Sequence, residues 1–94
     1  MYRYVIVEVY QAYGEASKHQ YRARPLTGQG LDVDMLVECS SSFRNKQNVG
    51  KLFKIKAKIK DTNMKPQLYS HFNWSVIPVS AEEAAIFIAK NGVK

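Results

Sequence analysis

The sequence predicts an α+β domain: a curved, mainly antiparallel β-sheet, or a partly closed barrel, with one C-terminal α-helix packed on its apolar face. Three observations carry this. Five runs have strand composition, residues 52–60 (LFKIKAKIK) alternate apolar and basic residues without a break, and the capped helix stands alone near the C-terminus. Ninety-four residues suffice for a single domain spanning 1–94, and 46% hydrophobic with 23% charged residues is ordinary globular composition.

Residues 2–10 (YRYVIVEVY) are β-branched and aromatic, as strands are. Period-2 alternation puts Val5, Val7 and Val9 on a core face. Tyr2, Tyr4, Ile6, Glu8 and Tyr10 lie on the other, to be half covered. After a break at Gly14 and Ser17, residues 18–24 (KHQYRAR) read as a second strand. Lys18, Gln20, Arg22 and Arg24 share one side of it, with His19, Tyr21 and Ala23 on the other. Pro25 has no N–H to donate and limits that ladder. Residues 27–30 (TGQG) are a turn.

Residues 31–39 (LDVDMLVEC) read as a half-buried strand, with Leu31, Val33, Met35, Val37 and Cys39 alternating against Asp32, Asp34, Leu36 and Glu38; a short helix is the competing reading. Residues 40–50 are a polar loop. In 52–60, Phe53, Ile55, Ala57 and Ile59 point one way and Lys54, Lys56, Lys58 and Lys60 the other, the lysines spaced roughly 6.6 Å apart along the strand. Residues 61–66 turn the chain into a last strand over 67–79, with Leu68, Phe72, Trp74 and Val76 on the core side. Ser80 and Glu83 form a capping box for the helix, and Asn91-Gly92 stops it.

The net charge is +6, but it is concentrated. Between Arg44 and Lys65 stand eight bases and one acid, whereas the other 72 residues hold six bases and seven acids. Such a cluster attracts phosphates or anionic surfaces, or serves as a solvated face. Four same-sign charges in one row repel one another unless something lies against them. The functional reading is a phosphate-binding surface on Lys54, Lys56, Lys58 and Lys60, with Arg22, Arg24, Arg44 and Lys46 at its rim. Tyr21, Tyr69 and His71 then offer ring faces to unpaired bases. The competing reading pairs the 31–39 run with the lysine strand. Asp32, Asp34 and Glu38 would then neutralise the row through exposed ion pairs of about 0–1 kcal/mol each.

Other chemistry has weaker grounds. Cys39, His19 and His71 lack the close spacing of a zinc site, and Asp32-x-Asp34 reads as a wet strand face, so no metal or cofactor is expected. There is no nucleophile elbow, phosphate loop or glycine-rich cofactor turn, and no catalytic residue is assigned. Cys39 reads as a small buried hydrophobe and Trp74 as core. No run approaches the roughly 18 apolar residues of a membrane span, Glu8 interrupts the first apolar stretch as no secretory signal would, and one unpaired cysteine suits the cytoplasm. Size and basicity resemble small ribosome-dependent RNA-cleaving toxins, a likeness of composition that lacks their helix-rich N-terminal half.

The expectations are therefore ordered. The first is a non-catalytic nucleic-acid-binding accessory protein. The second is a protein-interaction or homo-oligomerisation module, its lysines paired to its own acids, using an exposed strand edge or the tyrosine face. The third is a metal-independent RNA-cleaving enzyme built on His71.

Overall fold

In the computed structural model, residues 2–12, 20–60, 66–71 and 73–91 are described. They form six strands, β1 (Arg3–Gln11), β2 (Tyr21–Pro25), β3 (Val37–Glu38), β4 (Leu52–Lys60), β5 (Gln67–Tyr69) and β6 (Val76–Val79), followed by helix α1 (Ala81–Asn91). The strand order is β2-β1-β4-β5-β3, with β6 also paired to β4, and every pairing is antiparallel except β3 with β5. The α+β architecture expected from the sequence is the one observed.

β4 carries partners on both edges. Along one, Tyr4 stands opposite Lys56 and Val5 opposite Ile55; along the other, β6 faces residues 52–55 and β5 faces residues 58–60. The single strand read over 67–79 is thus two short strands on one edge of β4. From Tyr69 opposite Lys58 to Val76 opposite Ile55 the chain takes seven steps where β4 takes three, an excursion of four extra residues. Ser70 pins its start, donating from Oγ to the Lys56 carbonyl at 2.6 Å. An even number of extra residues keeps the alternation in phase, so Leu68 and Val76 both face the core, as expected.

The core lies on the valine side of the sheet, where Val5, Val7, Val9, Ala23, Phe53, Ile55, Ala57 and Leu68 are buried together with Phe43. Phe43 comes from a one-turn 3-10 helix in the polar loop and meets the Phe53 ring at 5.0 Å between centroids. The loop thereby caps the open side of the curled sheet. Leu31, Met35, Val37 and Cys39 pack at its margin.

Three further expectations need correction. Residues 31–39 are not one strand: only Val37–Glu38 pairs, and it pairs with β5, not with β4. Upstream, the Asp32 carboxylate accepts the Asp34 N–H at 2.8 Å and the Asp32 carbonyl accepts the Met35 N–H at 3.0 Å, a turn that satisfies the backbone locally. Secondly, α1 packs on the lysine side. Its Phe87 ring lies 5.4 Å from Lys54 Nζ, and Ala84 and Ile6 are buried apart from the valine-side cluster. A Cβ on Gly28 would meet Ile88 of the helix at 3.2 Å, and the residue holds φ at +93°, so the 27–30 turn needs glycine there twice over. Thirdly, Trp74 leaves the core, as described below. Lys18, His19, Asp61, Lys65, Phe72 and Gly92, with the break at Gly14 and Ser17, the 61–65 part of the 61–66 turn and the Asn91-Gly92 stop, lie outside the described residues.

The capping box is present: Glu83 N–H reaches Ser80 Oγ at 3.0 Å, and Ser80 N–H reaches Glu83 Oε1 at 2.9 Å. Hydrogen bonding from the Ser80 backbone N–H, and then from its side chain, holds the Glu83 carboxyl below its usual range. β2 ends at Pro25, opposite Val7. The ladder bonds run through Ala12–Gln20 and Leu26–Ile6, so a Pro25 N–H would have pointed away from β1 and its absence breaks no bond there.

One buried side chain continues the ladder where β2 stops. Gln29 Oε1 accepts the Ile6 N–H at 2.8 Å, and Gln29 Nε2 donates to the carbonyls of Ile6 (2.8 Å) and Leu26 (2.9 Å). A carboxamide here acts as one further peptide unit of β2. Replacing it leaves buried backbone groups unpaired, at a cost of about 1–3 kcal/mol each for unsatisfied groups. Gln29→Leu should therefore lower the urea midpoint by the equivalent of about 2–3 kcal/mol. Gln29→Glu, which cannot donate, should do at least as much harm at neutral pH.

Candidate nucleic-acid interface

The pleat of β4 presents Lys54, Lys56, Lys58 and Lys60 on the face opposite the core, where Tyr4 of β1 and Tyr2, just before β1, also lie. The two rows interlock. Lys54 Nζ lies 5.6 Å from the Tyr4 ring centroid, Lys56 Nζ 5.5 Å from Tyr2, and Lys58 Nζ 5.5 Å from Tyr2. On the other edge Lys56 reaches Trp74 at 5.6 Å, while Lys58 and Lys60 reach Tyr69 at 6.0 and 5.6 Å. Every lysine of the row thus rests against at least one aromatic ring, within cation–π range.

Trp74 arrives through the four-residue excursion. Its N–H bonds the His71 carbonyl at 2.9 Å, and His71 Nδ1 accepts the Asn73 N–H at 3.1 Å, closing a tight turn. The indole consequently leaves the alternation that would have sent it inward. It meets Tyr2 edge-on at 4.8 Å, Tyr69 at 6.1 Å and His71 at 5.8 Å. Of the expected ring faces, Tyr69 meets Lys58 and Lys60 directly, whereas His71 lies against Trp74. Trp74 and Tyr2 were not assigned to the site by sequence reasoning. The tyrosine alternation in 2–10 was the available signal for Tyr2; Trp74 had none.

The other expected site residues lie elsewhere. Arg22 and Arg24 stand on β2 opposite Tyr10 and Glu8, toward the far end of β1 from Tyr2. Arg24 is committed to Glu8, at 3.0 Å from Oε1, and to the Tyr10 ring at 4.7 Å. Tyr21 pairs with Gln11, a position in phase with the valine face. Arg44 donates to the carbonyls of Ser40 and Cys39, each at 3.2 Å, and Lys46 is exposed in the same loop. Because that loop caps the valine side, neither base extends the lysine row.

Nor do the acids sit among the lysines. With β5 between β3 and β4, Glu38 is two strands from Lys58, the Tyr69 position intervening; Asp32 and Asp34 belong to the turn. Among the described residues no carboxylate comes within 4 Å of any of the four ammonium groups, although Glu83 lies near enough to Lys54 to feel its charge. Between β2 and residues 33–39 the sheet leaves a cleft of about 610 Å³, lined by Arg22, Arg24 and Arg44 together with Asp34, Glu38 and Cys39. Its charges are mixed, unlike those of the lysine face. Among the described residues no helix is long and apolar enough to cross a membrane.

Comparison with protein-family models, with characterised proteins and with solved structures finds no match to this chain. The functional reading therefore rests on the geometry of the lysine–aromatic face.

Burial pushes the Cys39 thiol up to about 11, with the Arg44 guanidinium offsetting part of the shift. A raised folded-state pKa means the folded protein holds this proton more tightly than the unfolded chain. The stabilisation is complete below about pH 9 and disappears as pH rises toward about 11. The urea midpoint should fall across that window, and Cys39→Ala should remove part of the fall. At neutral pH the native thiol should react with maleimide more slowly than the thiol of the unfolded chain.

Proposed function

We propose that this chain is a non-catalytic nucleic-acid-binding accessory protein whose β4 lysines contact phosphates. One observation carries the reading: the four ammonium groups rest against aromatic rings, and among the described residues no carboxylate lies within 4 Å of them. A ring attracts a cation through its quadrupole and leaves the net charge in place, whereas an ion pair would cancel it. The row thus keeps the positive field that a polyanion requires. The cleft, by contrast, mixes the bases Arg22, Arg24 and Arg44 with the acids Asp34 and Glu38.

Binding of labelled single- and double-stranded DNA and RNA, titrated from about 50 to 200 mM salt, tests this. Three or four phosphate contacts to a single strand give a slope of log K on log salt of about −2 to −3. Changing Lys54, Lys56, Lys58 and Lys60 together to Gln should leave the circular dichroism spectrum intact and abolish both binding and slope. Binding that survives in this variant would overturn the reading. Absence of binding at the lowest salt, with a salt-insensitive dimer in solution, would assign the face to a second copy of the chain instead.

A further inference from the structure

We infer that the ligand of this face is single-stranded nucleic acid, its phosphates on Lys56, Lys58 and Lys60 and its unpaired bases stacked on the rings of Tyr2, Trp74 and Tyr69. The inference rests on the phosphate-binding reading above and adds the strandedness of the ligand and the groups that select it.

The first argument is the interleaving of rings and charges. A duplex offers a protein its phosphates while its base faces stay stacked inside, so a surface built for duplex needs bases and donors but no cluster of rings between them. Here the rings lie in the row itself: Tyr2 touches both Lys56 and Lys58, and Trp74 touches Lys56. Tyr2 is 48% exposed, and Trp74 and Tyr69 are half-buried, so ring surface remains open to a ligand. Alternating charge and ring is what a strand with alternating phosphates and splayed bases can satisfy at each step.

The second argument is shape. Alternate residues of a strand advance roughly 6.6 Å, close to the step between phosphates of an extended nucleotide chain. Lysines on β4 therefore match an extended single strand lying along it. The row is also closed at one end. Phe87 of α1 lies against Lys54 Nζ at 5.4 Å, and Glu83 adds a negative charge there. The open platform runs from Lys56 to Lys60 and spans about three nucleotides.

The third argument concerns the ammonium groups. At 5.5–6.0 Å from the ring centroids they sit near the outer limit of cation–π attraction. Each long side chain can swing to a phosphate while its ring turns to a base.

Trp74 is the sole tryptophan, so its fluorescence reports on this platform alone. The probes are an oligothymidylate of about eight nucleotides, a duplex of the same length and an abasic strand of equal charge. The oligothymidylate should quench Trp74, and the abasic strand and duplex should bind about tenfold more weakly without quenching. Tyr2→Ala, at an exposed position, should weaken oligothymidylate binding about five- to twentyfold and leave the salt slope unchanged; Tyr2→Phe should restore it. Trp74→Phe should retain binding that Trp74→Ala loses. Equal, salt-dependent affinity for all three probes with unchanged fluorescence would overturn the inference and leave the phosphate reading standing. Failure of every probe to bind at about 20 mM salt would overturn both.

Discussion

β4 is hydrogen-bonded along both edges, and that constraint fixes which way each of its nine side chains points. Phe53, Ile55 and Ala57 are buried in the core, and the lysines between them are turned outward by the same pleat. Slipping the register by one residue would carry ammonium groups into the apolar interior, where isolated charges are prohibitively costly. The core therefore holds the basic row straight and evenly spaced. Burial on one side and charge on the other are two consequences of one alternation.

A row of like charges needs some compensation. Neighbouring ammonium groups roughly 6.6 Å apart repel by about 0.6 kcal/mol in a water-like medium. A cation–π contact at an exposed site contributes about 0.5–1 kcal/mol, enough to offset each such repulsion. The rings of Tyr2, Tyr4, Tyr69 and Trp74 thus make the row tolerable without making it neutral. Carboxylates in the same places would have contributed a similar energy and removed the field. The distinction is one of residual charge and not of stability.

The rest of the chain serves to keep this face open and the other closed. The 31–50 segment seals the valine side with Phe43, and the Gln29 carboxamide continues the β1 ladder beside the turn on which α1 rests. α1 packs on the face to which Lys54 points, at the Lys54 end of the row only. A helix on the valine side would have left the Lys54 end of the row open as well. Its actual seat gives the row one blocked end and one open end.

Features set by neighbours in sequence were legible from the residues alone. The β4 alternation, the valine face of β1 and the Ser80–Glu83 cap depend on periods of two and on side chains three residues apart, so the chain itself encodes them. The 31–39 run misled because an Asx turn and a strand can carry the same alternation, and only the partner, β5 in place of β4, decides between them. Trp74 misled for a related reason. A four-residue excursion preserves the phase of the strand on either side while reversing the residue inside it. α1's apolar stripe announces that the helix packs but not on which face of a sheet that is apolar on one side and aromatic on the other. Strand order, the side taken by the helix and the meeting of Tyr2 with Trp74 join residues far apart in the chain. Many alternative pairings bury similar area, and only closure of the entire sheet selects among them.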